Sequence, residues 1–223
     1  MEGRSLLIVE DDALLRELVA GALEVRGFRV TTAATAADAM RAVHVVDPDG
    51  ALVDIDLGEG PTGFDFADRL LQQYPHIAVV FLTNLPDPRF ADRDPNGLPR
   101  GVAYLRKSAI SDVDAIIAAL DTALRGGNLT QHRHDRNPKR PLANLTRRQI
   151  DVLRMVVDGK TNAQIADARG VTLKSVEATL QRAYLAIGIA PETHGNSRVL
   201  AARRFLEATE PTVRQLPAPE STG

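Results

Sequence analysis

Four places in this sequence carry side chains suited to holding a phosphoryl group or the cation that accompanies one. Glu10-Asp11-Asp12 is a run of acids, Asp54 and Asp56 flank Ile55, and Thr83 and Lys107 stand further along. Carboxylates brought within a few ångströms of each other cannot all stay ionised without a counter-charge. A divalent cation supplies one, and Mg2+ fits best, because it takes octahedral oxygen ligands and keeps several waters. A carboxylate is also a nucleophile toward phosphorus. A lysine ammonium beside the cation would neutralise charge on a group in transfer, and a threonine hydroxyl would bond one of its oxygens. Taken singly these residues are ordinary: loop acids are solvated, a lone lysine lies on the surface, and a threonine caps a helix. The case rests on whether the fold brings them together.

The elements around them say that it does. Leu6-Leu7-Ile8-Val9 is an apolar run that stops at the first acids. A helical pattern covers Ala13 to Arg26, Arg29–Thr32 reads as a strand, Ala36–Val46 as a helix and Ala51-Leu52-Val53 as a buried strand ending at Asp54. Phe64–Tyr74 is helical, Ile77–Leu82 is a strand ending at Thr83, Val102–Leu105 is a strand running into Lys107, and Val113–Arg125 is a helix. Five apolar strands separated by helices predict a parallel sheet covered on both faces. Ligands of such sheets sit at the carboxyl ends of the strands, where every residue named above falls.

The chain has 223 residues, 44% hydrophobic and 25% charged, and no cysteine. That length suits two domains. The missing cysteine excludes a disulfide framework, thiolate metal sites and a cysteine nucleophile. No apolar run reaches the ~18–20 residues of a membrane span. The opening Glu2 and Arg4 do not read as a secretory signal, so the cytoplasm is the expected location. The net charge of −2 hides an asymmetry: residues 1–125 carry 12 Lys/Arg against 20 Asp/Glu, and residues 126–208 carry 14 against 7. An acidic half joined to a basic half suggests a cation or phosphate site beside a polyanion-binding unit. The predicted division is 1–125, a polar linker 126–141, a helical unit 142–208 and a disordered Pro-containing tail 209–223.

Over residues 4–125 the chain resembles the receiver domain of two-component response regulators. The elements that carry the resemblance are Ile8-Val9-Glu10-Asp11-Asp12, Ala51-Leu52-Val53-Asp54, Val80-Phe81-Leu82-Thr83 and Tyr104-Leu105-Arg106-Lys107. It implies a flavodoxin-like, doubly wound five-stranded sheet. It also implies that Glu10, Asp11, Asp54 and the Asp56 carbonyl hold Mg2+, that Asp54 accepts a phosphoryl group from a sensor histidine kinase, that Lys107 contacts that group, and that Thr83 and Tyr104 relay the change. Asp54 is preferred over Asp56 as acceptor because it directly follows the strand and has the usual spacing from Pro48. The stretch after Thr83 departs from the pattern. Asn84 stands where a small residue is usual, and Pro86, Pro88, Pro95 and Pro99 interrupt what should be the fourth helix. A proline inside a helix costs ~3 kcal/mol. The surface that reports phosphorylation in the family is therefore expected to be altered, along with dimerisation through it.

The basic half carries a second pattern. Thr146-Arg147-Arg148-Gln149 and Thr161-Asn162-Ala163-Gln164 are both capping boxes. Apolar stripes follow each, ended by Gly159 and Gly170, and a third helix starts after Thr172 with Val176, Leu180, Ala183 and Ile187 on one face. A fourth runs from about Ser197 to Glu207. Short helices joined by a glycine turn suit a motif that lays its second helix in the major groove. Residues 142–207 resemble the LuxR/NarL type of helix-turn-helix DNA-binding domain, through Leu145–Gln149, Asp158–Ala166, Gly170-Val171-Thr172 and Ser175-Val176. The candidate contacts are Lys160, Thr161, Asn162, Lys174, Ser175, Glu177, Ala178, Gln181 and Arg182. Lysine and arginine would take phosphates, Gln181 would read adenine and Glu177 cytosine. The family usually has a basic residue at Glu177 and often His at Thr179 and Lys at Ala186, so a weaker phosphate contribution and a different operator are expected.

The leading expectation is a non-enzymatic response regulator that binds double-stranded DNA, with homodimerisation open. Two alternatives remain. Asp54-Ile55-Asp56 resembles the Asp-x-Asp pair of haloacid-dehalogenase-type phosphatases, but there the pair follows the first strand and the remaining acids come late. A receiver-like unit acting through protein contacts without phosphorylation would also suit the interrupted fourth helix.

Overall fold

A computed structural model describes residues 3–94, 96–189 and 196–209. The strands are β1 (Ser5–Val9), β2 (Arg29–Ala33), β3 (Gly50–Val53), β4 (Ala78–Thr83) and β5 (Ala103–Arg106), all parallel in the order β2-β1-β3-β4-β5. That is the flavodoxin-like winding expected from the sequence. Successive residues of a strand point to opposite faces, so β1 reads as continuously apolar: Leu7 and Val9 feed one core cluster while Leu6 and Ile8 feed the other. The helices α1 (Ala13–Val25), α2 (Ala36–Val46), α3 (Gly63–Gln73) and α4 (Val113–Leu124) cover the two faces.

Among the described residues, the chain between β4 and β5 carries no α-helix, only a 3-10 turn at Pro88–Ala91. Pro86, Pro88 and Pro99 explain this, since each removes a backbone donor and fixes φ; Pro95 lies outside the described residues. Asp87 caps the turn, its side chain accepting from the Arg89 N–H at 3.0 Å.

Residues 126–141, expected to be a polar linker, are exposed for the most part, but Leu129, His132 and Asp135 within them are buried. The stretch forms 3-10 turns at Thr130–His132 and His134–Arg136. Arg133 bridges to Tyr104 as an isolated parallel pair, and the Arg106 N–H donates to His134 Nδ1 at 3.1 Å. The reason is that β5 is an edge strand, whose unpaired backbone groups need cover. Two of the charges that made this stretch look like a linker pair with each other, Arg133 and buried Asp135 at 2.7 Å, and Arg140 pairs with Asp87 at 2.8 Å.

The C-terminal helices are α5 (Arg147–Val157), α6 (Asn162–Arg169), α7 (Leu173–Ala186) and α8 (Ser197–Thr209). Both capping boxes form, with Thr146 and Thr161 as N-caps and Gln149 and Gln164 reaching back. Gly170 takes a φ of 63° at the end of α6, a left-handed conformation that costs glycine nothing. Thr209 ends α8, and the rest of the expected disordered tail, 210–223, lies outside the described residues. Among the described residues no helix is long and apolar enough to cross a membrane.

Candidate functional site

The acids converge. β1 and β3 are hydrogen-bonded neighbours in register, Val9 opposite Val53, so Glu10 and Asp54 emerge side by side at the carboxyl edge. β5 delivers Lys107 to the same edge. Its Nζ donates to Glu10 Oε2 at 2.7 Å and to Asp54 Oδ2 at 2.6 Å. Glu10 and Asp54 are only 4% and 5% exposed, so water screens neither. The other Asp54 oxygen, Oδ1, accepts from the N–H groups of Ile55 at 2.6 Å and Asp56 at 3.3 Å. These bonds orient the carboxylate. Asp56 is exposed, on the lining of the same cleft.

The protonation balance follows from this geometry. Burial, reinforced by neighbouring Asp54, pushes Glu10 up to about 7 despite its bond from Lys107. Burial also raises Asp54, opposed by Lys107, the Asp56 N–H and the Thr83 hydroxyl. Burial works to lower Lys107, but the two carboxylates outweigh it and hold the ammonium above its ordinary value. Glu10, Asp11 and Asp54 each offer an oxygen within 4.8 Å of the others. Three carboxylates therefore face one ammonium, in a cleft of about 560 Å³ lined also by Asp56 and Asn84. Excess negative charge on hard oxygen donors is what a divalent cation requires. The donor set fits Mg2+.

Thr83 ends β4 fully buried. Its hydroxyl accepts from the Leu85 N–H at 3.4 Å, and the Tyr104 hydroxyl donates to the Leu85 carbonyl at 3.0 Å. Both proposed relay residues thus meet at Leu85.

Two residues that sequence reasoning passed over shape this edge. Arg16 donates from Nη1 to the carbonyls of Glu10 at 2.7 Å and Asp11 at 3.1 Å, pinning the acidic turn. The available signal was a cation near a helix N-terminus, where the macrodipole disfavours it unless it has other work. Gly63, at the start of α3, leaves no room for a side chain: a Cβ there would lie 1.9 Å from the Asp54 carbonyl oxygen. Its N–H donates to the Ile55 carbonyl at 2.9 Å, closing the loop behind Asp54. Gly63→Ala is therefore expected to destabilise the chain by about 1–3 kcal/mol through overpacking. Urea unfolding of the full chain measures the loss, and an alanine variant with wild-type stability would refute this role for Gly63.

In the helical unit, Lys174, Glu177, Ala178, Gln181 and Arg182 lie exposed on one face of α7. The opposite face, with Val176, Leu180 and Ala183, is buried. Thr179 belongs to that inner side at 2% exposure, its hydroxyl donating to the Ser175 carbonyl at 2.8 Å. A basic residue at that position would not reach a phosphate from this backbone, so the comparison with histidine there carries no weight for affinity. Ser175 accepts from Arg148 at 2.9 Å, and Asn162 accepts from Arg198 at 2.8 Å. Thr161 is exposed and Lys160 half-buried beside them.

Residues 6–93 match the family described as response regulator receiver domain, and residues 143–192 match the bacterial regulatory proteins of the luxR family. The transcriptional regulatory protein LiaR of Bacillus subtilis is 24% identical over 90% of this chain and 98% of its own length. The DNA-binding transcriptional activator DevR/DosR of Mycobacterium tuberculosis is 27% identical over 74% of this chain and 78% of its own. The fold is similar to that of RcsB from Salmonella enterica serovar Typhimurium bound to promoter rprA, with a TM-score of 0.55 and 14% identity over 91% of this chain and 98% of that one.

Proposed function

Because the chain belongs to the response regulators, joining a receiver domain to a luxR-family DNA-binding domain, we propose that Asp54 accepts a phosphoryl group and that this event controls DNA binding. The donor is a phosphohistidine of a sensor kinase. An Asp54 oxygen bonds to phosphorus as the P–N bond breaks, and the histidine nitrogen keeps the electron pair. The observation that carries this reading is the Lys107 ammonium within 2.7 Å of both Glu10 and Asp54, acids from different strands held against one cation. Receiver domains bind Mg2+ at an acidic pocket. Here Glu10, Asp11, Asp54 and the Asp56 carbonyl would hold it, where it supplies charge neutralisation for the group in transfer. Lys107 keeps its proton and bonds an oxygen of that group. The Ile55 and Asp56 N–H groups keep the carboxylate oriented.

Thr83 and Tyr104 are the switch residues of this reading. The Thr83 hydroxyl leaves the Leu85 N–H to bond the phosphoryl group, and Tyr104 follows through the Leu85 carbonyl. At the other end, Lys160, Thr161, Asn162, Lys174 and Arg182 contact backbone phosphates of double-stranded DNA while Ser175, Glu177, Ala178 and Gln181 face the bases. The protein acts in the cytoplasm as a regulator and not as an enzyme, and a homodimer would read two half-sites.

Mg2+ with beryllofluoride, which mimics the phosphoryl group, tests the trigger on the full chain. Amide shifts at Thr83, Leu85 and Tyr104 are expected to change, and Asp54→Asn is expected to stay silent. Silence of the wild-type chain at saturating beryllofluoride would overturn the phosphorylation reading and favour a regulator that works by contacts alone.

A further inference from the structure

The segment that replaces the fourth receiver helix is not a loose loop. Asp87 is 1% exposed and holds two guanidinium groups. Arg89, from its own turn, donates to Asp87 Oδ1 at 2.8 Å and Oδ2 at 2.7 Å, and Arg140, from the approach to α5, donates to Oδ2 at 2.8 Å. Arg89 spends its remaining donors on the DNA-binding domain, bonding the Leu145 carbonyl and, at 3.3 Å, the Ala143 carbonyl. Next to it, Phe90 is 5% exposed and belongs to the hydrophobic core of the C-terminal helices, its ring 5.6 Å from that of Phe205 on α8. Arg154 of α5 donates to the Phe90 carbonyl at 2.6 Å and to Asp92 at 3.2 Å, and Arg147 donates to the Asp92 carbonyl at 2.8 Å. Leu85 packs against both the sheet's core and this second core.

The receiver thus reaches the helical unit at its entry segment, α5 and α8. Among the described residues nothing of the receiver covers the outward face of α7, where Lys174, Glu177, Gln181 and Arg182 are exposed while the two units are joined. A contact built to mask DNA recognition would cover that face.

We propose that residues 84–92 are a docking element that completes the core of the DNA-binding domain, and that the docked chain is the DNA-binding form. A receiver that lends a phenylalanine to the helical core stabilises the helix that α7 packs on. Breaking the contact therefore weakens DNA binding and does not release it. The proposal rests on the DNA-binding reading above, and its test separates the two.

The probe is a pool of random-sequence duplexes enriched on the full wild-type chain at low salt, and the proteins are full-length wild type, Phe90→Ala, Phe90→Leu and Arg89→Ala. Anisotropy is expected to show at least tenfold weaker binding for Phe90→Ala and Arg89→Ala, with Phe90→Leu near wild type because it refills the core. Hydrogen exchange is expected to show lost protection at Ile150, Leu153 and Phe205 in Phe90→Ala. Equal or tighter binding by Phe90→Ala overturns the docked-form assignment, and unchanged protection overturns the shared core. If wild type enriches no duplex, the DNA-binding reading fails by itself, the docked-form assignment falls with it, and the exchange data still decide the shared core.

Discussion

Asp54→Asn is expected to abolish phosphoryl capture, whereas Asp56→Asn keeps most of it, although the two acids are separated by one residue. The asparagine amide is no nucleophile toward phosphorus, so the loss is to background, not a fraction. Asp56 is exposed, and the bond it makes to Asp54 is from its backbone N–H, at 3.3 Å, which a side-chain change leaves in place. Lys107→Ala should fall between them. Removing one preorganised donor from a reacting site costs roughly 10²–10³ in rate, and Lys107 is, among the described residues, the ammonium that bridges Glu10 and Asp54. Labelling the full-length variants with acetyl phosphate in Mg2+, followed by intact mass, measures all three. Equal labelling of Asp54→Asn and wild type would move the acceptor elsewhere, and loss in Asp56→Asn alone would move it to Asp56.

The different settings of those neighbours, Asp54 buried at a strand end and Asp56 exposed, were legible in the sequence because strand ends are. An apolar run that stops at an acid locates both the strand and the edge where the acid emerges, and parallel order then brings Glu10, Asp54, Thr83 and Lys107 together. Capping boxes made the starts of α5 and α6 equally plain. What the pattern did not hold was long-range pairing. Arg133, Asp135 and His134 read as a solvated linker because nothing local says that they meet the edge of β5. Asp87, Arg89 and Arg140 lie up to 53 residues apart in the chain and share one carboxylate. The prolines after Thr83 announced that a helix was missing, but not that Phe90 would fill another domain's core. Gly63 was readable only once Asp54 had a position, since the constraint is the space beside a carbonyl oxygen.

That shared carboxylate carries the second large expectation. Asp87→Ala leaves the Arg89 and Arg140 guanidinium groups facing each other without a counter-charge, and removing one partner of a buried ion pair costs about 3–5 kcal/mol. Removing all three charges at once should cost less, because no buried ion is then left unpaired. The effect has a signed pH dependence. Burial opposes ionisation of Asp87, but the bonds and charges of Arg89 and Arg140 outweigh it and hold its pKa below the ordinary carboxylate value. A group depressed in the folded state contributes fully above its unfolded pKa of about 3.9 and loses that contribution as pH falls through the folded value. The stability gap between wild type and Asp87→Ala in urea unfolding of the full chain is therefore expected to be constant from neutral pH down to about 5 and to shrink in stronger acid. A gap that stays the same into acid would mean that the Asp87 carboxylate contributes by shape alone, and that the charges gathered around it do not hold the two domains together.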